Sequence, residues 1–197
     1  MIRFFDILLS LSAIIVSSPI FILMFIWIKI DSKGPAFFVQ TRVGQGGVDF
    51  RLIKFRSMYV GAHTQGLLTV GNTDQRITKV GFYMRKYKLD ELPQLINVLQ
   101  GNMSIVGPRP EVRKYVNLYS PEQIKVISVK PGLTDYASIH FIDENEVLSK
   151  SQQPEITYIE QILPNKIEMN MLFINNRNLR HYFRIIFLTL KKISSLR

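Results

Sequence analysis

The chain of 197 residues contains no cysteine and is poor in acidic residues, with 15 against 25 lysines and arginines. Without cysteine, neither a disulfide framework nor a thiolate zinc site can form. The histidines His63, His140 and His181 are far apart in the sequence, which argues against a histidine metal cluster. The sequence also lacks Asp-x-Asp, His-Glu-x-x-His, Gly-x-Ser-x-Gly and dinucleotide-binding motifs. The first of these absences disfavours the usual metal-dependent nucleotide-sugar glycosyltransferases.

The formal net charge of the chain is +10. Such an excess of positive charge suits a nucleic acid, an anionic membrane surface or a phosphorylated substrate as the partner. At this length we expect one domain with a proper hydrophobic core and at most a short appendage.

Residues 7–28 form an apolar run without a charged side chain. As a helix this run would be roughly 33 Å long, just enough to cross the core of a bilayer. It is too long for the core of a signal peptide, and no cleavage site follows it. Ser17, Ser18 and Pro19 interrupt the run, and a proline inside a helix costs about 3 kcal/mol and usually kinks it. The serine hydroxyls can satisfy part of the backbone that the proline frees.

A kink at Ser18 and Pro19 would divide the run into two arms, 7–16 and 20–28, each too short to cross a bilayer alone. Basic residues flank the run on both sides, beginning with Arg3 and Lys29. Because positive charge favours the cytoplasmic side, a re-entrant hairpin with both ends in the cytoplasm is one hypothesis. A kinked spanning helix is the other, and the residues alone do not decide between them.

Residues 179–188 alternate aromatic and aliphatic side chains with basic ones at helical spacing and lead into Lys191, Lys192 and Arg197. This pattern is typical of an amphipathic helix at a membrane interface. A basic C-terminal helix that packs on the core of its own protein would show the same pattern, so both interpretations stay open.

The middle of the chain predicts an α/β (α+β) fold that is mostly helical with a small β-hairpin. Residues 37–40 and 50–55 are predicted strands, joined by a glycine-rich turn at 44–47. Helices are predicted over 76–88 and 92–100 from the spacing of their apolar residues. Residues 143–160 are polar and predict a surface helix and loop.

Residues 89–95 read Leu-Asp-Glu-Leu-Pro-Gln-Leu and place two carboxylates, Asp90 and Glu91, at a predicted helix start. Taken alone, the pair favours structural capping, because Asp is a good N-cap and the helix dipole favours negative charge in the first turn. A carboxylate can also bind a metal or act as a nucleophile. The cations just upstream, Arg85 among them, raise that alternative.

Residues 107–111 read Gly-Pro-Arg-Pro-Glu, so two prolines stiffen the backbone around Arg109. A guanidinium held in a rigid loop suits a phosphate or a carboxylate partner. Taken alone, a plain proline-rich turn with a solvated arginine explains the segment slightly better.

Together these motifs resemble the small bacterial sugar transferases, the monotopic phosphoglycosyl transferases that initiate cell-surface glycan assembly. The resemblance covers about residues 1–135 and keeps the order of several motifs: the apolar segment with Ser18-Pro19, residues 54–58, 74–76, Arg85, 89–95, 101–104, 107–111 and 130–134. Any one of these motifs is a weak signal, whereas their order makes the resemblance specific.

The resemblance implies an enzyme on the cytoplasmic face of the bacterial inner membrane. Members of the family move a sugar 1-phosphate from a UDP-sugar to undecaprenyl phosphate and release UMP, using Mg²⁺ and a covalent aspartyl phosphosugar intermediate. The implied partners are the UDP-sugar, undecaprenyl phosphate and the phospholipid bilayer, without nucleic acid. A homodimer is one oligomeric state left open.

The resemblance also assigns roles to residues and segments. Asp90 would be the nucleophile and Glu91 its helper, both close to the metal. The implied substrate-binding residues are Lys54, Arg56, Arg85, Pro108, Arg109 and Glu111. Residues 1–30 would form a re-entrant membrane hairpin broken at Ser18 and Pro19, and residues 31–197 a cytoplasmic catalytic domain with a C-terminal membrane-interface helix.

One segment departs from the family pattern. Much of the family follows the Pro-Gly-Ile/Leu-Thr turn with Gly-x-Ala-Gln-Val, whereas this chain has Asp135 and then Tyr-Ala-Ser-Ile. The departure puts in doubt a donor sugar inferred from better-known members. Two other hypotheses remain: a non-catalytic, membrane-anchored basic binding module, and a glycosyltransferase that moves the sugar without phosphate and releases UDP.

Overall fold

The computed structural model describes residues 1–66, 68–71 and 74–195. The helices in these ranges are α1 (Ile2–Asp31), α2 (Lys79–Lys86), α3 (Gln94–Gln100), α4 (Arg113–Val116), α5 (Tyr136–His140), α6 (Glu144–Ser149), α7 (Pro154–Thr157), α8 (Leu163–Asn175) and α9 (Leu179–Ser194). The strands are β1 (Phe37–Val43), β2 (Asp49–Phe55), β3 (Ser104–Val106) and β4 (Gly132–Thr134). A π-helical turn, Tyr158–Ile162, joins α7 to α8. Arg197, which the sequence analysis places in the basic C-terminal segment, lies outside the described residues.

The predicted α+β class with a small hairpin is confirmed. Strands β1 and β2 pair antiparallel, with Phe37 opposite Phe55 at the open end. Helix α2 begins later than predicted because Thr78 caps it, its side-chain oxygen accepting the amide of Gly81 at 2.9 Å. Helix α3 begins at Gln94, directly after Pro93.

A second, parallel pair of strands, β3 and β4, was not predicted. The two strands are only three residues long and meet through a very close backbone crossing. A Cβ atom on Gly132 would lie 2.1 Å from the amide nitrogen of Gly107, so both positions require glycine. This crossing fixes the proline-framed loop 107–111 beside β4.

The buried apolar side chains form clusters, two of which involve opposite ends of α1. Ile2, Phe5 and Leu9 pack against a cluster that contains residues of α3, β3 and α9. Met24 and Ile28 belong to a cluster with residues of β2 and α2. Both ends of α1 are therefore held on the same folded body.

Polar contacts also fix the two ends of α1. Near the start, the guanidinium of Arg3 donates to the carbonyls of Val98 and Leu99 at the end of α3, at 2.5 and 2.9 Å. At the end, a carboxylate oxygen of Asp31 accepts the amide of Val80 at 3.3 Å.

A second anchor near the start of α1 is a buried aspartate. The carboxylate of Asp6 accepts hydrogen bonds from the hydroxyl of Ser104, the amide of Ile105 and the hydroxyl of Tyr182, at 2.9, 2.9 and 2.8 Å. These bonds tie α1 to β3 and α9 at one point.

Helix α1 continues through Pro19 without a break in its secondary structure, so the two predicted arms are not separate helices. The predicted compensation by the serines is confirmed. Pro19 cannot donate to the carbonyl of Ile15, and the hydroxyl of Ser18 donates to that carbonyl instead, at 2.8 Å. By length and composition α1 could cross a membrane: its most apolar window has a mean hydropathy of 2.4, and only 11% of that window is buried.

Helix α9 packs on the core of its own protein, as one of the two interpretations predicts, and its place at a membrane interface stays a prediction. Tyr182 and Ile185 are fully buried in the core, whereas Phe183, Phe187 and Leu190 are 41%, 66% and 63% exposed. The helix packs on the protein through one face and leaves a second set of apolar side chains uncovered.

Candidate active site

The backbone just before the carboxylate pair is unusual. Lys88 has a φ of 56°, and it is the one non-glycine residue with positive φ in the described part of the chain. A 3-10 turn, Leu89–Glu91, follows directly. The expectation that Asp90 caps a helix is wrong, because α3 starts only after Pro93 and the Asp90 carboxylate accepts no amide of the described residues.

Glu91 is held by two cations. The guanidinium of Arg109 donates to both of its carboxylate oxygens, one of them at 3.0 Å, and the ammonium of Lys54 lies 3.7 Å away. Burial alone would raise the pKa of Glu91, but Arg109 and Lys54 outweigh it and hold that pKa well below its usual value. Glu91 is therefore ionised and firmly positioned.

Asp90 is more deeply buried than Glu91 and has a different electrostatic environment. Its exposed fraction is 5%, and it makes no hydrogen bond or ion pair with any residue in the described ranges. Burial, and then the charge of Glu91, raise the pKa of Asp90, while Lys54 and Arg85 oppose that rise. The Asp90 carboxylate is thus a comparatively basic oxygen nucleophile without a partner of its own.

Lys54 is the most perturbed lysine at the site. Burial lowers its pKa to about 8, against the attraction of Glu91, which raises it. Lys54 therefore carries its charge at neutral pH but loses it within the alkaline range of an ordinary assay.

Asp90 and Glu91 line a large pocket with a volume of about 630 Å³, enough for a ligand of nucleotide size. Strands β1 and β2, helix α2 and the segment 141–145 contribute to its wall. Basic side chains outnumber acidic ones in the wall, and the basic ones are Arg42, Lys54, Arg56, Arg76, Arg85, Lys86, Lys88, Arg109 and Lys166. Such a lining suits a polyphosphate ligand.

The structure brings most of the predicted substrate-binding residues to this pocket, among them Lys54, Arg85, Arg109 and Glu111. Arg56 lies in the wall too, but its guanidinium donates to the carbonyls of Ser32 and Lys33, at 2.8 and 2.6 Å. It therefore ties the end of α1 to β2.

Pro108 is the predicted residue that lies away from the large pocket. It lines a separate cavity of about 30 Å³ behind the loop, and its carbonyl accepts the amide of Gly132 at 2.9 Å. Its place in the structure is to hold the loop that carries Arg109.

Asp135 supports Arg109 from behind. It is completely buried; one carboxylate oxygen accepts the backbone amide of Arg109 at 2.7 Å, and the other caps α5 at the amide of Ser138. Asp135 stands where the sequence departs from the common family pattern. That departure was the signal that could have identified it.

Glu111 is the centre of a second polar group. Its carboxylate accepts bonds from Arg42 at 3.1 Å, from the amide of Val112 at 2.9 Å and from the hydroxyl of Tyr158. Burial raises the pKa of Tyr158, so its hydroxyl stays a donor. Sequence analysis missed Tyr158, because the polar segment around it gave no sign of a buried tyrosine.

Comparison with known proteins identifies the family of the chain. The profile described as "Bacterial sugar transferase" matches residues 1–195. A protein of Aeromonas hydrophila named UDP-N-acetylgalactosamine-undecaprenyl-phosphate N-acetylgalactosaminephosphotransferase is 37% identical over 97% of this chain and 43% of its own length. A UDP-glucose:undecaprenyl-phosphate glucose-1-phosphate transferase of Escherichia coli (strain K12) is 34% identical over 95% of this chain and 39% of its own length.

A third relative, the galactosyl transferase CpsE of Streptococcus agalactiae, is 36% identical over 97% of this chain and 41% of its own length. The chain thus spans about two fifths of each of these three relatives. The profile covers nearly all of the chain, and on that ground the protein belongs to the bacterial sugar transferase family.

Proposed function

We propose that this chain is a phosphoglycosyl transferase that moves a sugar 1-phosphate from a UDP-sugar to undecaprenyl phosphate and releases UMP. One observation carries the proposal: the buried, unpaired Asp90 carboxylate in the wall of a basic pocket of nucleotide size. The names of the relatives contain different sugars, so the proposal extends to UDP-sugars as a class.

In the first step, a carboxylate oxygen of Asp90 attacks the phosphorus that carries the sugar. The bond between that phosphorus and the bridging oxygen breaks, and UMP leaves with the bridging oxygen and its electron pair. The product is an acyl phosphate between Asp90 and the sugar 1-phosphate. In the second step, a phosphate oxygen of undecaprenyl phosphate attacks the same phosphorus, and the Asp90 carboxylate leaves unchanged.

The basic lining supports both steps, because negative charge concentrates on the reacting phosphoryl group and on the departing UMP. Arg85 and Lys88 lie in the same pocket wall as Asp90 and stabilise its ionised form. Arg109, held rigidly by Glu91 and by the backbone bond to Asp135, presents a fixed positive charge beside the pair.

The carboxylate pair also fits a magnesium ion. The described residues contain no group of three or more metal-binding side chains. Mg²⁺ commonly binds through one or two carboxylates together with substrate phosphates, so the pair alone could supply the protein ligands. Glu91 and Asp90 would hold it with the diphosphate, and when bound it would neutralise charge on the phosphates.

We also propose that α1 enters the bilayer and returns to the same face. A straight helix of this length would extend about 45 Å, and its ends would lie on opposite faces if it spanned the membrane. The contacts of Arg3, Asp6 and Asp31 with one folded body favour a helix whose ends share a face. Residues 1–30 would be the membrane segment and 31–197 a cytoplasmic catalytic domain, with α9 at the membrane interface.

The reaction is tested by release of UMP from a panel of UDP-sugars, with undecaprenyl phosphate, Mg²⁺ and the purified chain in detergent or lipid nanodiscs. At least one UDP-sugar should give UMP in amounts equal to the lipid-linked sugar phosphate. Asp90→Asn should abolish both products, whereas Asp49→Asn, an exposed matched change on β2, should retain them. Release of UDP would instead indicate a glycosyltransferase.

The non-catalytic alternative predicts a different result with the same variants. A membrane-anchored binding module would give no UMP with any UDP-sugar, and Asp90→Asn would change only its stability. Salt-sensitive binding of nucleic acid would then support that alternative.

A further inference from the structure

One part of the wall of the large pocket differs from the rest in its chemistry. The segment 141–145 contributes a phenyl ring, two carboxylates and a side-chain amide, whereas α2 contributes the cations Arg85 and Lys86. Carboxylates repel the phosphates of a nucleotide-sugar. This part of the wall therefore suits a portion of the ligand that carries no charge.

A buried ion pair holds one carboxylate of this segment in place. The ammonium of Lys166 donates to one carboxylate oxygen of Glu144 at 2.8 Å and lies 5.2 Å from the centre of the Tyr158 ring. Lys166 is 8% exposed, whereas the side chain of Glu144 is 24% exposed. The second carboxylate oxygen of Glu144 accepts no hydrogen bond from the described residues, so it can accept one from a ligand hydroxyl.

Two further polar side chains in this wall have unused hydrogen-bonding capacity. The side-chain amide of Asn145, which can both donate and accept, bonds to no residue in the described ranges. The hydroxyl of Ser138 is buried and has no partner in the same ranges. An unpaired buried hydroxyl costs free energy, so a ligand group that reached it would be stabilised.

The ring of Phe141 gives the same wall an apolar surface. It packs edge to face with the His140 ring, with the centres 4.9 Å apart, and its backbone amide donates to the carbonyl of Ala137 at 2.8 Å. A pyranose ring has an apolar face of C–H groups and hydroxyls around its edge. An aromatic ring beside hydrogen-bonding side chains complements both features.

The position of this wall relative to the carboxylate pair favours the sugar over the uridine as its ligand. The pKa of Arg109 is raised mainly by Glu91 and, to a smaller extent, by Glu144. Glu144 thus acts on the guanidinium that holds Glu91. In a UDP-sugar the sugar is bonded directly to the phosphorus that Asp90 would attack, whereas the uridine is one phosphate further away.

We propose that Phe141, Glu144 and Asn145 form the subsite for the sugar of the donor, with Lys166 as the residue that positions Glu144. The ligand is a pyranose whose hydroxyls donate to the Glu144 carboxylate and whose C–H face lies against the Phe141 ring. The inference rests on the proposed function and deepens it, because it names the residues that select among UDP-sugars.

Steady-state release of UMP from UDP-glucose, UDP-galactose and UDP-N-acetylgalactosamine measures this selection. In Glu144→Gln we expect kcat/KM for the best donor to fall roughly tenfold, because a hydrogen bond to a charged acceptor is weakened, and the ratio between donors to change. Glu146→Gln is the matched control, since Glu146 is exposed on α6 outside the pocket lining, and it should keep wild-type values. The inhibition constant of UMP, which carries no donor sugar, should be equal in all three proteins.

Deoxy analogues of the best donor, each without one hydroxyl, identify the contact. Wild type should discriminate against the analogue that lacks the hydroxyl bound by Glu144, and in Glu144→Gln this discrimination should shrink. Lys166→Met should change the donor ratio as Glu144→Gln does, because Glu144 loses its partner. Lys166→Arg keeps the ion pair and should restore the wild-type ratio, which a general loss of stability would not do.

The outcomes separate the subsite from the proposed function. A wild type that releases no UMP from any UDP-sugar would overturn the proposed function and the subsite with it. With an active wild type, the subsite is wrong if Glu144→Gln leaves kcat/KM unchanged or lowers it by one factor for every donor and analogue. Weaker inhibition by UMP in Glu144→Gln would place Glu144 at the uridine instead, and the proposed function would stand.

Discussion

Asp90 and Glu91 are adjacent, yet their environments differ. Glu91 is neutralised by Arg109 and Lys54, whereas Asp90 faces the pocket without a partner. A carboxylate that is already paired is a poor nucleophile, because its charge is committed to hydrogen bonds. The division of roles between the two residues thus follows from their contacts.

Lys54 should give the activity an alkaline limit. Its pKa is about 8, so the ammonium is charged below that pH and is lost above it. We expect kcat/KM for the UDP-sugar, which reports the free enzyme, to fall as the pH rises through about 8. In Lys54→Arg the charge persists, and the alkaline fall should disappear from the pH profile.

Lys54 should affect stability in the opposite direction, with a contribution that rises as the pH rises. Between pH about 8 and the ordinary lysine pKa of 10.5, the unfolded chain binds more protons at Lys54 than the folded chain does, so the contribution of Lys54 to stability rises with pH. Denaturant titrations of wild type and Lys54→Arg across this range measure the difference. If kcat/KM fell identically at alkaline pH in wild type and in Lys54→Arg, Lys54 would not be the group that sets the alkaline limit.

Asp135 should matter for kcat as well as for folding. Asp135→Ala removes the acceptor for the Arg109 amide and the cap of α5, and we expect a loss of roughly 1–3 kcal/mol in the free energy of unfolding. Turnover should fall with it, because Arg109 loses its rigid support. Asp135→Asn keeps one acceptor oxygen, so its free energy of unfolding and its turnover should lie between those of wild type and Asp135→Ala. Full turnover of Asp135→Ala under stabilising conditions would contradict the positioning role.

At the scale of secondary-structure elements, those with a clear pattern among neighbouring residues could be predicted and the others could not. The hairpin and helices α2 and α3 follow from short-range periodicity and turn residues, and their ends shifted where Thr78 and Pro93 intervened. Strands β3 and β4 are three residues long, and no period can be recognised in so short a segment.

The contacts that support the site residues could not be predicted from the sequence either. Arg109 and Asp135 are 26 residues apart, and Glu111 and Tyr158 are 47 residues apart. Their meeting depends on how whole elements pack. The carboxylate pair and the proline-framed arginine, by contrast, are contiguous motifs, and for that reason they could be named in advance.

Ser18 and Pro19 should control the topology of α1. Replacing Ser18 and Pro19 by two leucines restores the backbone donor at position 19 and removes the competing hydroxyl, so this part of α1 should resist bending. We expect a larger share of this variant to span the membrane, which labelling of an N-terminal tag from outside intact cells would detect. Ser17→Ala, a neighbouring change that leaves Pro19 in place, is the control. Equal labelling of all three proteins would contradict a role for Ser18 and Pro19 in the topology.

At the scale of the whole molecule, α1 and the folded body form one unit. If α1 enters and leaves the bilayer on one face, as proposed, charge, apolar surface and the pocket are all arranged relative to that face. The excess of basic residues matches the negative cytoplasmic leaflet as well as phosphorylated substrates. One surface can then receive a water-soluble donor and a lipid acceptor.

Both termini of the wild-type chain should consequently lie on the same side. Tags at either end should resist an impermeant reagent in intact cells and react after the membrane is permeabilised. An N-terminal tag that reacts in intact cells while the C-terminal tag does not would establish a spanning helix instead.

The most direct measurement of the central claim is the mass of the protein after incubation with a UDP-sugar and Mg²⁺ in the absence of undecaprenyl phosphate. The proposed reaction predicts an increase equal to one sugar 1-phosphate, located on Asp90 by fragmentation and lost when undecaprenyl phosphate is added. Asp90→Asn should show no increase. An adduct on another residue, or UMP released at full rate by Asp90→Asn, would contradict the assignment of Asp90 as the nucleophile.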